Sequence, residues 1–239
     1  MSVLCVDCGN TRLKWGLRDR GAWLAQGVQA LAHTARLTVG ADRIVACNVA
    51  GEPGRLAVDA LAGGRGIAVE WVRSQAVQCG VSNGYQHPEQ LGADRWAALI
   101  GGRRLCAGAC LVVNSGTATT VDLLAADGRF RGGLILPGLT MMRTALADNT
   151  ADLPAGGGDM RDLPVNTFDA IASGSVLATV GAIERMFRHL TGEVQPLCLL
   201  SGGAAGALAP HLTVPYRLVD NLVLEGLATI AESDQCAGQ

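Results

Sequence analysis

Asp7, Gly9, Asn10, Thr11 and Lys14 crowd together at the end of a short apolar run, Val3 to Val6. A turn built on Gly9 and Asn10 lets backbone N–H groups approach an anion closely, because glycine carries no Cβ to keep it away. Thr11 adds a hydroxyl, and Lys14 lies within reach of the same anion. Asp7 has the chemistry to hold a hydrated Mg²⁺ through one carboxylate. Neither common phosphate fingerprint fits, since both run from the glycine turn into a helix, whereas here the chain continues as a strand. On residue content alone, a phosphate turn and an ordinary polar hairpin both remain open.

A second group lies in "GYQHPEQLGADRW", from Gly84 to Trp96. Gly92, Ala93 and Asp94 open a helical pattern, and an acid in a first helical turn is favoured by the dipole for purely structural reasons. Arg95 beside it and Tyr85 on the preceding loop add a guanidinium and a phenol. One carboxylate, one guanidinium and one tyrosine suit a small anionic substrate with a hydroxyl group. His87, before Pro88, reads as a loop residue.

The elements that must position these groups come in two copies. Shifting the first strand by 107 positions lays Leu4-Cys5-Val6-Asp7-Cys8-Gly9-Asn10-Thr11 on Leu111-Val112-Val113-Asn114-Ser115-Gly116-Thr117-Ala118. The same offset carries Leu17 onto Leu124 and Gly21 onto Gly128. Each copy reads as strand, small turn, strand, glycine-bearing hairpin and third strand, which predicts two lobes of like topology, 1–108 and 109–239. Residues 42–51 read as a strand feeding a helix near Leu56 to Leu61, and 67–74 as another strand. Trp96, Leu99, Ile100 and Leu105 repeat at helical spacing. Pro137 and Gly138 precede a further helix, and Asn166 or Thr167 caps a long one. The stretch "PLCLLSGGAAGAL", from Pro196, reads as a strand ending in a glycine turn and helix, and 221–232 as a closing helix. The Gly-, Pro- and Asp-rich stretch 153–166 is the candidate mobile lid. Alternating strands and helices in both halves predict an α/β fold.

Bulk properties narrow the field. The 239 residues are 49% hydrophobic and 17% charged, and mean hydropathy is +0.27. No unbroken apolar run reaches the ~18 residues that would span a bilayer, and Asp7 interrupts the early apolar stretch, against a signal peptide. The apolar excess fits strands covered on both faces and a subunit interface. A net charge of -2 gives no footprint for nucleic acid. Eight scattered cysteines suit reduced thiols in a cytoplasm. Cys5 and Cys8 read C-x-x-C, but on a strand they point to opposite faces and no second pair completes a zinc site.

Taken in order, Asp7-x-Gly-Asn-Thr-x-x-Lys14, Gly84-Tyr85, Leu91-Gly-x-Asp-Arg-Trp96, Gly116-Thr-Ala-x-Thr-x-Asp122, Gly132-Gly-x-Ile-x-Pro-Gly138, Ala170 to Gly174 and Gly202-Gly203 resemble the type III pantothenate kinases. That family includes proteins named Bvg accessory factor, and it belongs to the acetate and sugar kinase/Hsp70/actin superfamily. The resemblance implies two ribonuclease-H-like lobes with the active site in the cleft between them, each glycine turn serving as a phosphate loop. It implies ATP-dependent phosphorylation of pantothenate, with Mg²⁺, in a homodimer. Asp7, Cys8, Gly9, Asn10, Thr11, Arg12, Leu13 and Lys14 match the first phosphate segment, and Thr117 matches an ATP contact. Tyr85 and Gly92, Ala93, Asp94 and Arg95 match the pantothenate segment, with Asp94 as general base. Thr167 matches a substrate contact supplied by the partner subunit. Asp122 is placed to serve near the metal or phosphates. Family members commonly carry an acid where this chain has Asn114; an amide oxygen can still coordinate K⁺ or NH₄⁺, without a formal charge. The rival readings are a nucleotide-binding regulator without turnover and a kinase for another hydroxylated acid.

Overall fold

The computed structural model describes residues 1–36, 39–64 and 66–237. The chain forms two compact units. One holds Met1–Ala107, Gly128–Arg131 and the chain from Asn221 onward; the other holds Gly108–Asp127 and Gly132–Asp220.

In the first unit β1 (Val3–Cys8), β2 (Arg12–Asp19), β3 (Ala22–Ala30), β4 (Arg43–Asn48) and β5 (Val69–Trp71) make one sheet in the order β3-β2-β1-β4-β5. The first three strands are an antiparallel meander, and β4 and β5 run parallel to β1. All six residues of β1 are buried, as its central place requires. Its alternation sends Leu4, Val6 and Cys8 to the face covered by α1 (Gly51–Gly63), where they meet Ile44, Ala46, Val58 and Leu61. A short hairpin, β6 (Val77–Gln78) and β7 (Val81–Ser82), precedes α2 (Ala93–Leu105). α2 packs against the last helix, α6 (Leu222–Ala237).

A single cut near residue 108 does not reproduce these units. Arg18 of β2 is buried and donates from Nε to Glu232 of α6 at 2.7 Å, with Glu225 at 3.5 Å, while Trp23 donates to Glu225 at 2.7 Å. A buried guanidinium without those carboxylates would carry a heavy desolvation cost, so α6 returns to the sheet of the first half.

The second unit repeats the strand order. β8 (Cys110–Ser115), β9 (Ala118–Leu124), β10 (Phe130–Pro137), β11 (Leu197–Ser201) and β12 (Tyr216–Leu218) lie as β10-β9-β8-β11-β12. Its helices are α3 (Leu139–Asn149), α4 (Thr167–Phe187) and α5 (Ala205–Leu208). Residues 167–190 are long and apolar enough to cross a bilayer by length and composition. Here Ala172, Val176, Val180 and Ile183 of that stretch pack on Leu111, Val113 and Val121.

The repeat departs from a uniform offset. Leu4 pairs with Leu17, but Leu111 pairs with Leu123 rather than Leu124. The first turn leaves four residues between the paired Cys8 and Leu13, and the second leaves three between Ser115 and Thr119. The second glycine turn is therefore one residue shorter.

Residues 153–166 contain no helix or strand, yet they are not loose along their length. The Asp159 N–H donates to Asp169 Oδ1 at 2.8 Å and the Arg161 N–H to Ser173 Oγ at 2.9 Å, while Met160 packs on the core. Asn166 caps α4, its Oδ1 accepting the Asp169 N–H at 2.9 Å and its Nδ2 donating to Asp169 Oδ2 at 2.9 Å. These bonds pin the C-terminal half of the stretch to the first turns of α4.

Candidate active site

Strand parity builds the first half of the site. Because Leu4, Val6 and Cys8 face α1, Asp7 must point to the opposite face of the sheet. Register then sets Lys14 directly opposite Asp7 on β2 and Cys47 opposite it on β4. The Cys47 thiol donates to Asp7 Oδ1 at 3.5 Å. Asp7 is buried, and that burial pushes its carboxyl up to about 6; Lys14 pulls it down, while the charge of Asp94 pushes it further up. The Cys47 thiol is pushed well above its ordinary range by burial and then by Asp7. Beyond the strand, the Gly9 N–H closes the turn on the Arg12 carbonyl at 3.1 Å. Asn10, Thr11 and Arg12 stand exposed at its tip. Cys8 and Leu13 bury their side chains in the core, so only their backbone can face a phosphate.

α2 supplies the second half. Gly92 at its N-cap offers no side chain, and Asp94 fills the gap by accepting the Arg95 N–H at 2.8 Å through Oδ1. Arg95 is only 5% exposed. Its Nη1 donates to the Tyr85 hydroxyl at 3.0 Å, and its guanidinium carbon lies 5.7 Å from the Tyr85 ring centre. Asn83 sets the loop that presents Tyr85: its Oδ1 accepts the Tyr85 N–H at 3.0 Å, and its Nδ2 donates to Ser74 Oγ at 2.9 Å and to the Pro88 carbonyl at 3.2 Å. His87 is exposed on that loop.

The structure thus brings Asp7, Lys14, Tyr85, Gly92, Ala93, Asp94 and Arg95 into one unit, with Asp94 electrostatically coupled to Asp7. Asn114, Thr117, Asp122 and Thr167 belong to the other unit. Asn114 pairs with Thr120 at the strand position that Asp7 holds in the first unit, and Asp122 is buried opposite Val112. Thr167 opens α4 and is exposed.

The second turn is built differently from the first. Its Gly116 N–H reaches the Ala118 carbonyl at 2.9 Å, and Ser115 and Thr119 share a hydroxyl bond of 2.8 Å. The Gly138 N–H, at the N-cap of α3, donates to the Thr117 carbonyl at 2.9 Å. A Cβ on Gly138 would fall 2.1 Å from the Gly116 carbonyl oxygen, and one on Gly202 would fall 2.2 Å from that of Ser115. Backbone therefore clamps this turn from two sides.

Four features escaped sequence reasoning: Cys47, Asn83, the Gly138–Gly202 clamp and Phe130, whose ring lies 5.3 Å from that of Tyr85. Gly138 and Gly202 both stand in the quoted glycine motifs, but so do Gly132 and Gly203, where a Cβ would meet nothing within 4 Å, so the motif alone does not single out the clamp. Nothing in the sequence marks Cys47, Asn83 or Phe130, which act through strand register and loop closure.

A model of the type III pantothenate kinase family matches residues 3–189. A type III pantothenate kinase of Aromatoleum aromaticum is 52% identical over 241 aligned positions, covering 98% of this chain and 100% of the relative. One from Azoarcus sp. is 48% identical, covering 97% and 91%. Among solved structures, a protein described as a Baf family transcriptional activator from Campylobacter jejuni superposes with a TM-score of 0.65 at 18% identity, covering 98% of this chain and 99% of that one. A protein described as a 2-dehydro-3-deoxygalactonokinase from Sinorhizobium meliloti gives 0.63, also at 18% identity, covering 97% and 99%. At that identity the likeness concerns fold alone, an α/β chain with two five-stranded sheets of like strand order.

Proposed function

The chain belongs to the type III pantothenate kinase family, and from that premise we propose that it transfers the γ-phosphoryl group of ATP to the terminal hydroxyl of pantothenate. The product is 4′-phosphopantothenate, and the reaction is the first step toward coenzyme A. The observation that carries this reading is the convergence of Asp94, Arg95 and Tyr85 in the unit that also carries Asp7 and Lys14.

Phosphoryl transfer passes through a loose transition state, so positioning and charge neutralisation dominate its catalysis. The turn from Asp7 to Lys14 holds the ATP phosphates through its backbone N–H groups and the Lys14 ammonium. Thr117, on the turn of the other unit, is assigned to the same nucleotide. Arg95 binds the pantothenate carboxylate, and Tyr85 holds Arg95 and the substrate. Asp94 keeps one carboxylate oxygen on the Arg95 N–H and uses the other to accept the hydroxyl proton. Mg²⁺ arriving with ATP supplies neutralisation of phosphate charge, and Asp7 is the residue to hold it. A buried carboxyl raised to about 6, with the charge of Asp94 adding to the cost of its ionisation, gains from a nearby cation. Asn114 offers an amide oxygen to a monovalent cation, and Asp122 lies two residues from its strand partner Thr120 on the same face.

A homodimer is part of the proposal, with Thr167 of the partner subunit reaching the substrate. It is supported by large apolar side chains that stand open on β10, α3 and α4, among them Ile135, Met141, Leu146, Phe168 and Leu177, which a subunit interface would cover. A cytoplasmic location fits the seven unpaired thiols among the described residues.

The test is ADP release measured with pantothenate and with a panel of sugars and sugar acids, repeated in Na⁺, K⁺ and NH₄⁺ buffers, alongside light scattering for the dimer. Pantothenate-dependent release is expected. Release with a sugar acid alone would assign another acceptor, and no release with any acceptor would favour a nucleotide-binding regulator.

A further inference from the structure

Phe130 begins β10 but sits, with Gly128–Arg131, in the first unit. The segment is held there by backbone. Ser82 donates its N–H to the Gly128 carbonyl at 3.0 Å, and Ser82 bridges Arg129 in parallel. A Cβ on Gly84 would lie 1.9 Å from the Phe130 carbonyl oxygen, and one on Gly128 would lie 2.2 Å from that of Gly80. The chain thus leaves the second sheet after β9, threads against the loop that presents Tyr85, and returns as β10.

The consequence is a fully buried aromatic ring against the two groups assigned to substrate recognition. Its centre lies 5.3 Å from that of Tyr85 with the planes at 40°, and 5.9 Å from the Arg95 guanidinium carbon. Tyr85 takes the same guanidinium at 5.7 Å. The three centres form a nearly equilateral triangle, so the guanidinium rests against both rings from one side, and the paired contacts restrict how its planar hydrogen-bonding fork can turn; the attraction is strongest where water is excluded. We propose that Phe130 is a positioning residue: it holds the Arg95 guanidinium and the Tyr85 ring in the geometry that receives an anionic, hydroxylated substrate. This rests on the assignment of Arg95 and Tyr85 to pantothenate.

The test compares Phe130→Leu, which keeps the site apolar but removes the ring, with Phe130→Tyr, which keeps the ring. Phe130→Leu is expected to raise KM for pantothenate about tenfold, the scale of a desolvated cation–π contact, and to change KM for ATP less than about twofold. Phe130→Tyr is expected to restore most of the difference. In an Arg95→Ala background, Phe130→Leu should add little, because the two act as one unit. Equal increases in both KM values, or an undiminished effect of Phe130→Leu in the Arg95→Ala background, would overturn the proposal.

A second readout needs no substrate. The ¹⁵N-guanidinium resonance of Arg95, identified by its loss in Arg95→Lys, should shift and broaden in Phe130→Leu but not in Phe130→Tyr. An unchanged resonance in Phe130→Leu would overturn the positioning role. If the wild-type protein released no ADP with pantothenate, the functional assignment would fall, and this resonance would still decide whether Phe130 fixes Arg95.

Discussion

Asp7, the last residue but one of β1, faces Lys14 on the neighbouring strand; at the same place in the second unit, Asn114 faces Thr120. Both units share one strand order, and in both the chain leaving the fourth strand donates back to the end of the first. Val49 N–H meets the Cys8 carbonyl at 3.0 Å, and Ala204 N–H meets that of Ser115 at 3.0 Å. What differs is how each glycine turn is furnished. The first is longer by a residue and carries a paired acid and base; both tips, residues 10–12 and 116–118, are exposed. The second is neutral at the equivalent pair and clamped by the backbone at Gly138 and Gly202. The two copies share a hydrogen-bond scaffold, while the acid–base pair stands in one and the backbone clamp in the other.

The comparison is sharpened most by Asp94→Asn. A positioned base contributes about 10² to 10⁴ in rate, so turnover should drop by that factor while calorimetry still shows ATP binding. A near-normal kcat would remove Asp94 from its role and leave the first unit without its assigned acid–base chemistry.

Asp7→Asn tests the charge asymmetry through stability. In the folded state the Asp7 carboxyl is held at about 6, above its ordinary value of 3.8, so the native protein binds that proton more tightly than the unfolded chain. The ligand-free protein therefore loses stability as pH rises from about 4 through 6, and the loss persists above. At 1.36 kcal/mol per pH unit, removing the charge should stabilise the protein by up to about 3 kcal/mol at pH 8. Near pH 4 the gain should vanish. Urea unfolding of both proteins at pH 4, 6 and 8 reads this directly, and a variant less stable than wild type at pH 8 would break the account.

Gly138→Ala tests the clamp. A methyl group 2.1 Å from the Gly116 carbonyl oxygen must displace backbone, and overpacking of this kind costs about 1–3 kcal/mol. Thermal unfolding should show the loss, with KM for ATP rising several-fold. The first turn has no such clamp: a Cβ on Gly9 meets only the Arg12 carbonyl, at 3.3 Å, and Gly9→Ala should change stability by less than about 1 kcal/mol. Equal effects of the two substitutions would erase the contrast between the turns.

The meanders, the helix opened by Gly92-Ala93-Asp94 and the capped helix from Asn166 were legible because strand parity, helical spacing and capping are local. The offset of 107 found the duplication yet carried Leu17 onto Leu124, since sequence comparison cannot see that the second turn is one residue shorter. Residues 153–166 read as a lid because Gly and Pro report backbone freedom, whereas bonds from 159 and 161 to the helix that follows remove much of it.

By itself the sequence determined that two strand-turn-strand repeats exist, that each ends in a glycine turn, and which acids, bases and aromatics were present to be used. These follow from patterns a few residues long. The tertiary structure alone decided that Cys47 donates to Asp7, that α6 returns to the first sheet to neutralise Arg18, and that Phe130 crosses over to wall Arg95. Each joins residues 35 or more positions apart, and such contacts are chosen by burial and charge pairing across the whole chain, not by any local preference.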